Sequence, residues 1–233
     1  MPRTYLPRSY LEGFRTGEPE TAGGAVVWVY RAPVGEWKRA AVDGDGSRAR
    51  HFNSVEDADL HKAPDLDQAL AGIEADAAAL VAGKLARRQP LAGAERALLA
   101  SFFALLGVRL SPRFAQIDEG EARAGYQALA AVLAEMGWVF WLAEPPLYFI
   151  TSSSPLLVAF PRREEQIGPS VDIHTSSAEV TLPLSSAIAL HATWKRGGEL
   201  WRRAGDDALL EINGRTCQRA RAFLVSPRPA VPG

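Results

Sequence analysis

Glu74 and Arg109 are the charged residues whose positions in the sequence point most directly to chemistry. With about 100° of rotation per helical residue, Arg109 falls in the middle of an apolar helical face. That face consists of Leu98, Phe102, Leu105 and Leu106. A guanidinium there must be paired or must reach a polar cavity, because burying it alone is very costly. Glu74 lies at the edge of the apolar face of the preceding helix, so the two side chains are expected to meet across a helical hairpin. Three interpretations are open: a structural ion pair, an arginine at a helix end that extends its charge to solvent, or an anion-binding arginine held in place by Glu74.

A run of hydroxyl side chains, Thr151-Ser152-Ser153-Ser154 before Pro155, follows an apolar strand pattern. A nucleophilic serine needs a neighbouring base and donors for the oxyanion. No Gly-x-Ser-x-Gly turn surrounds these serines and no histidine is nearby in the sequence. We therefore expect the hydroxyls to satisfy backbone groups of the turn. Ser152 and Ser153 are also candidates for contacting a ligand.

Histidines and carboxylates cluster in one segment of the chain, at His51, Glu56, Asp57, Asp59 and His61. Such ligands suit zinc, manganese or iron. Their spacing matches no metal-binding motif, and acidic loops are commonly solvated, so no metal site is predicted.

Two further histidines, His174 and His191, stand apart from other candidate residues in the sequence. Each is a candidate general acid, because the unperturbed pKa of histidine lies near neutrality. The sequence contains no phosphate loop, dinucleotide fingerprint or zinc-protease motif, so no cofactor is predicted.

The elements that would position these residues follow from hydrophobic periodicity. Runs of β-branched and aromatic residues predict strands over residues 25–30, 37–42, 138–142, 147–151, 156–160, 179–184 and 188–194. Apolar spacing typical of helices predicts helices over residues 65–84, 92–110, 118–136 and 206–225.

The order strands, helices, strands, helix predicts an α+β fold rather than a wound parallel sheet. We expect a mixed or antiparallel sheet, interrupted by a packed three-helix insert over about residues 65–136 and closed by a C-terminal helix. The length of 233 residues favours one domain over residues 1–226, with a frayed tail at 227–233.

The bulk composition excludes several classes of partner. A formal net charge of −1 provides no field that attracts nucleic acid or anionic lipid. Cys217 is the only cysteine, which excludes an intrachain disulfide and fits a reducing cytoplasm. No apolar run has the length of a signal peptide or a membrane helix. The sequence therefore predicts a soluble, cytoplasmic protein, with no membrane partner and nucleic acid an improbable one.

The opening phrase Thr4-Tyr5-Leu6-Pro7, then Tyr10-Leu11, then Phe14, resembles the N-terminal signature of the bacterial domain-of-unknown-function 4238 family. That signature typically has histidine at the first position. The hydroxyl run at 151–155 is similar to the family's Thr-Ser-Asp-Asn-Pro turn. Further similar segments follow in the family's order: Val27-Trp28-Val29-Tyr30, Ile73-Glu74, Phe103 with Arg109, Leu182-Pro183-Leu184-Ser185, and Ile212-Asn213 to Phe223-Leu224-Val225-Ser226.

The resemblance implies kinship in fold and no particular activity. Thr4 stands in place of the family's histidine and Ser153 in place of its aspartate. Since a serine is neither a good base nor a good metal ligand at neutral pH, catalysis that depends on position 153 is disfavoured.

Three functions are compatible with these residues. The first is a weakly catalytic or non-catalytic domain that binds a small anion, a nucleotide or an acidic peptide in a polar pocket between the helices and the sheet. Its predicted residues are Tyr5, Glu74, Arg109, Ser152 and Ser153. The second is a phosphoester hydrolase that uses His51 beside Glu74, Arg109 and Ser153. The third is an interaction subunit that docks a partner protein through exposed aromatic residues.

Overall fold

A computed structural model of the chain describes residues 3–4, 6–17, 25–31, 35–42, 54–55, 64–109, 119–159, 178–195 and 197–230. Its strands are β1 (Arg3–Thr4), β2 (Val26–Arg31), β3 (Glu36–Ala41), β4 (Ser54–Val55), β5 (Gly137–Leu142), β6 (Thr151–Ser152), β7 (Leu157–Ala159), β8 (Glu179–Pro183), β9 (Ile188–Thr193), β10 (Glu199–Arg203) and β11 (Leu224–Ser226). Its helices are α1 (Arg8–Glu12), α2 (Pro64–Gly83), α3 (Gly93–Arg109), α4 (Glu119–Glu135) and α5 (Asp206–Arg219), with a 3₁₀ turn at Leu85–Arg87.

The described strands form two larger sheets and one short pair. The five-stranded sheet has the order β10-β5-β9-β8-β7, in which β10 runs parallel to β5 and the other neighbours are antiparallel. The four-stranded sheet, β3-β2-β11-β6, is entirely antiparallel, and β1 pairs with β4. Helices α2, α3 and α4 lie between strands in the chain, so the predicted α+β class with its helical insert is confirmed.

The C-terminal helix is shorter than predicted. Helix α5 ends at Arg219, and Ala220 already has extended dihedral angles. The chain then enters β11, where Val225 pairs with Val29 on one side and with Thr151 on the other. The apolar residues after 219 match a helical period, but the ladder hydrogen bonds between two strands satisfy their backbone as well. Tertiary pairing therefore overrides the local periodicity.

The strand predicted over residues 147–151 is mostly irregular, and only Thr151 belongs to a strand. The buried Asn213 of α5 takes the place of a strand partner. Its Oδ1 accepts a hydrogen bond of 3.1 Å from the backbone N of Ile150, and its Nδ2 donates one of 3.1 Å to the carbonyl of Tyr148. A side-chain amide presents one acceptor and one donor, so it can satisfy an extended backbone without a ladder.

The five-stranded sheet is covered on both faces, which explains its continuous apolar strands. On one face, Trp138, Phe140, Val180 and Leu190 pack in the main core, together with the buried residues of α3. Three of the four residues predicted on the apolar face of α3, namely Phe102, Leu105 and Leu106, are buried, and Leu98 is half-buried. On the other face, a smaller cluster joins Ala189 and Phe149 to Leu209 and Ile212 of α5.

The N-terminal segment from Leu6 to Gly17 packs into the fold. Leu6, Leu11 and Phe14 are almost completely buried in the main core. At Gly13, the chain approaches the turn between β8 and β9 so closely that the Ser186 backbone N donates a 2.8 Å hydrogen bond to the Gly13 carbonyl. A Cβ atom added at Gly13 would lie 3.1 Å from the carbonyl oxygen of Leu184, so glycine permits this contact.

Several predicted features lie outside the described residues. These are Tyr5, the cluster from His51 to His61, His174 and the side chain of Arg109. The assignment of one domain with a frayed tail stays a prediction. No helix in the described part of the chain is long and apolar enough to cross a membrane.

Candidate functional site

The hydroxyl of Tyr10 connects the N-terminal segment to the hydroxyl run at 151–154. It donates a 2.6 Å hydrogen bond to the carbonyl of Pro183 and lies 2.7 Å from Oγ1 of Thr151. A phenol has a single proton, so Thr151 must be the donor of the second bond. Burial raises the pKa of Tyr10 far above its usual value, although the hydrogen bond with Thr151 lowers it in part. The Tyr10 side chain is therefore neutral at physiological pH, and its hydroxyl connects α1 to β6 and β8 through hydrogen bonds.

Glu74 caps the first turn of α1. Pro7, the N-cap residue of α1, offers no side-chain acceptor, which leaves the amides of the first turn without a local partner. Oε1 of Glu74 accepts hydrogen bonds from Ser9 through its backbone N at 3.3 Å and its Oγ at 2.7 Å. This contact fastens α2 to the N-terminal segment and gives Glu74 a structural function.

The hydroxyls of Ser152 and Ser153 satisfy backbone groups, as the sequence predicts for this turn. Ser152 Oγ accepts a 3.1 Å hydrogen bond from the backbone N of Ser154. Ser153 Oγ accepts bonds of 3.1 and 2.9 Å from the backbone N atoms of Arg221 and Ala222, which follow α5. An aspartate carboxylate would accept the same two bonds. A polar residue at position 153 is therefore explained by the fold without catalysis.

The five predicted site residues are only partly brought together within the described residues. Glu74 reaches α1 through Ser9, and the serine turn reaches α1 through Thr151 and Tyr10, so both approach the same short helix. Convergence of these residues with Tyr5 and Arg109 on one pocket stays a prediction.

A different arginine of α3, Arg96, is a partly buried cation, with its side chain 17% exposed. Its guanidinium donates to the carbonyl of Ala134 at 2.9 Å, to the carbonyl of Met136, and to Oε1 of Glu199 at 3.2 Å. It also lies 3.9 Å from the centre of the Trp138 ring. A signal in the sequence was available, because Leu99 and Phe103, three and seven residues further on, are buried on the same face.

A second charged cluster surrounds Glu179, whose side chain is 9% exposed. Its carboxylate lies 2.6 Å from Nζ of Lys195, 3.4 Å from Nε2 of His191 and 3.6 Å from Nη2 of Arg215. Arg215 also pairs with Glu211 of its own helix. Nε2 of His191 is buried, and no partner among the described residues meets the geometry of a hydrogen bond with it. In the sequence, His191 stands apart from other candidate residues. Its charged neighbours come from β8 and α5, which only the tertiary structure brings next to β9.

Burial acts on the pKa values of Glu179 and His191 in opposite directions, because it disfavours the charged form of each. Desolvation opposes ionisation of Glu179, but the hydrogen bond from Lys195 and the nearby positive charges lower the pKa of the carboxyl overall. Burial lowers the pKa of His191, an effect that the negative charge of Glu179 only partly offsets. The arrangement is a neutral imidazole beside a carboxylate that is held by cations.

Two neighbouring clefts adjoin the N-terminal segment. The first, the α1 cleft, has a volume of about 600 Å³ and lies between α1, α2 and the β8–β9 turn. Its polar walls include Ser9, Arg15, Arg88, Glu144 and Ser185. Glu144 pairs with Arg203 at 2.8 Å and lies 3.9 Å from Arg88. The α1 cleft thus contains charges of both signs.

The second, the Trp28 cleft, has a volume of about 580 Å³. Its walls include Arg15, Trp28, Pro146, Tyr148 and Arg228. Arg15 and Gly17 line both clefts. Among the described residues that line the Trp28 cleft, two are arginines and none is acidic. This cleft could not be predicted from the sequence, because its walls come from five separate segments of the chain.

No group of three or more metal-ligating side chains occurs among the residues that the structure describes. No protein-family model, no curated protein and no solved structure matches this chain. The kinship with the domain-of-unknown-function 4238 family accordingly stays a prediction that rests on the residues quoted above.

Proposed function

We propose that this chain is a binding domain for a small anion, a class that includes a nucleotide or an acidic peptide, and that Arg15 contacts the ligand. The observation that carries the proposal is the sign of the charges in the Trp28 cleft. Arg15 and Arg228 line it, and no carboxylate does so among the described residues. Guanidinium groups bind phosphate and carboxylate through paired hydrogen bonds.

The two arginines are available for such a ligand. Both are exposed, and neither takes part in any ion pair between described residues. The nearby carboxylates are engaged elsewhere: Glu12 pairs with Arg8 at 2.9 Å, and Glu144 pairs with Arg203. An anion that enters the cleft therefore meets two cations and little local repulsion.

The hydrolase alternative has less support, because a hydrolase needs a general base near the ligand. Among the described residues that line the two clefts there is no histidine. The neutral His191 beside Glu179 has suitable chemistry, but it lines neither cleft. We therefore prefer binding over efficient catalysis.

The protein-interaction alternative would need an apolar surface. The large apolar side chains exposed in the described part of the chain are Leu200 on β10 and Leu210 on α5, which are 38% and 47% exposed. Single exposed leucines are common on soluble domains and do not form a docking surface.

The proposal retains two predictions from the sequence. The ligand can extend towards Glu74, because Ser9, its partner, lines the α1 cleft. The cytoplasmic location is kept as well, supported by the single cysteine.

Thermal unfolding with a panel of phosphates, nucleotides, dicarboxylates and acidic peptides tests the proposal. A ligand present at 100 times its Kd should stabilise the fold by about 2.7 kcal/mol. We expect the stabilisation to disappear in Arg15→Gln and to persist in Arg202→Gln, an exposed arginine of β10 that lines neither cleft.

A third variant, Arg109→Met, separates this site from the pocket predicted by sequence. Loss of stabilisation in Arg109→Met with full retention in Arg15→Gln would move the ligand to the predicted pocket. The absence of any stabilising anion would contradict the proposed function.

A further inference from the structure

We propose that the ligand of the Trp28 cleft is a mononucleotide, with its base against the aromatic and proline walls and its phosphate at Arg15 and Arg228. This inference rests on the proposed anion binding and names the chemical class of the anion. It is drawn from the combination, in one cleft, of aromatic and proline side chains with two arginines that form no ion pair among the described residues.

The apolar side chains that line the cleft are suited to a planar ring. Trp28 is half-buried and Tyr148 is 8% exposed, and both line the cleft. Four prolines line it as well, namely Pro145, Pro146, Pro227 and Pro229. Proline has no backbone N–H, so these walls present flat apolar surface and few donors to the edge of a base. Aromatic side chains can stack on any of the bases, because each base has a π face.

Arg228 lies on a turn that is held in place by hydrogen bonds. Ser226 Oγ and Tyr148 OH each donate a 3.1 Å hydrogen bond to the carbonyl of Ala230. The backbone N of Arg228 donates a 3.2 Å bond to Ser226 Oγ. The guanidinium of Arg228 lies 5.7 Å from the centre of the Tyr148 ring. Arg228 is thus positioned next to an aromatic wall before any ligand binds, which reduces the entropic cost of binding.

The dimensions are compatible with this class of ligand. The cleft volume of about 580 Å³ lies within the range of roughly 300–1,000 Å³ that is typical of sites for small molecules and cofactors. An inorganic anion would leave the aromatic and proline side chains unused. A nucleoside would leave both arginines without a counter-charge. A mononucleotide uses both kinds of side chain.

The test is calorimetric titration of the full chain with AMP, CMP, ribose 5-phosphate, adenosine and inorganic phosphate. We expect AMP to bind at least about fivefold more tightly than ribose 5-phosphate, since the stacking of one base contributes about 1–3 kcal/mol. AMP should also bind more tightly than adenosine, which lacks the phosphate that the two arginines would contact. CMP should bind within about tenfold of AMP, because the walls offer few groups that read the edge of a base.

Single variants test which residues contact the base and which contact the phosphate. Trp28→Leu should weaken AMP about tenfold and leave ribose 5-phosphate unchanged, whereas Arg228→Gln should weaken both. Trp37→Leu on the adjacent strand is the matched control, because Trp37 contacts Tyr30 and does not line the cleft. Trp28→Phe, which keeps a flat ring, should retain AMP binding if Trp28→Leu does not fold.

Three outcomes would overturn the inference. Equal affinity for AMP and ribose 5-phosphate would show that the cleft does not bind the base, while anion binding would stand. Equal affinity for adenosine and AMP would show that the arginines do not bind the phosphate. If none of the five compounds binds while another anion stabilises the fold through Arg15, the nucleotide class is wrong and the proposed function stands.

Discussion

The hydroxyl of Tyr10 lies 2.7 Å from Oγ1 of Thr151, although 141 residues separate them in the sequence. This contact joins the opening phrase and the hydroxyl run, two of the segments on which the predicted family kinship rests. Ser9 and Gly13, on either side of Tyr10, are fastened to α2 and to the β8–β9 turn. The N-terminal segment therefore connects α2 with both larger sheets, and its sequence pattern has a structural explanation.

Tyr10→Phe should lower the free energy of unfolding by about 1–3 kcal/mol, because it leaves the carbonyl of Pro183 and the hydroxyl of Thr151 buried without this partner. Urea unfolding followed by tryptophan fluorescence measures the change. Thr151→Val keeps the shape of the side chain and supplies the second arm of a double-mutant cycle. A coupling energy of about 1 kcal/mol is expected between the two substitutions. If their effects on the free energy of unfolding simply added, the Tyr10–Thr151 hydrogen bond would contribute nothing to stability.

Ser153→Ala should destabilise the fold by about 1–3 kcal/mol, since the backbone N atoms of Arg221 and Ala222 lose their acceptor. Ser153→Asp should retain most of the stability, because a carboxylate accepts both bonds. Ser154→Ala is the matched control: the buried hydroxyl of Ser154 has no hydrogen-bond partner among the described residues, so its removal should be nearly neutral. Equal losses at positions 153 and 154 in denaturant unfolding would refute this account.

Arg96→Met should lower the free energy of unfolding by about 2–4 kcal/mol. It removes the donors to Ala134, Met136 and Glu199 and leaves a carboxylate that is only 15% exposed without its cation. Arg96→Lys should recover little, because a single ammonium cannot reach three acceptors in the plane of a guanidinium.

The control for Arg96 is the exposed pair of Lys38 and Glu36, 3.9 Å apart. Lys38→Met should change the free energy of unfolding by less than about 0.5 kcal/mol. If Arg96→Met behaved like Lys38→Met under the same denaturant conditions, the buried network would have no energetic importance.

The free energy of unfolding should fall as the pH decreases from about 7 to about 5.5, in part through His191. Because burial lowers the pKa of His191 in the folded state, the unfolded chain binds the proton first, below about pH 6.5. The slope contributed by this one site is at most about 1.4 kcal/mol per pH unit. Chemical unfolding at a series of pH values measures it.

His191→Gln removes this titration and provides the control. Its free energy of unfolding should depend less on pH between 5.5 and 7 than that of the wild type. Below about pH 4.5, both proteins should still lose stability through Glu179 and other carboxyls, because the cations around Glu179 lower its pKa in the folded state. Parallel curves for the two proteins between pH 5.5 and 7 would show that His191 has an ordinary pKa.

Local patterns were sufficient for the fold class and for most of the elements. The predicted helices at 65–84, 92–110 and 118–136 correspond to α2, α3 and α4, because a 3.6-residue apolar period requires only neighbouring residues. The errors lie where a distant group decides the local structure. Asn213 satisfies the backbone of residues 148–150 in place of a strand, and β11 inserts between β2 and β6 where a continued helix was expected.

By itself, the sequence determined the α+β class, the three consecutive helices and the structural use of the serine turn, since each depends on residues close together in the chain. Only the tertiary structure decided that Arg96 pairs with Glu199, that His191 lies beside Glu179, and that Arg15 and Arg228 line one cleft. These contacts join residues that lie 12 to more than 200 positions apart. Which of many compatible side chains meet at such separations depends on how the sheets and helices pack, and no periodicity in the sequence records that packing.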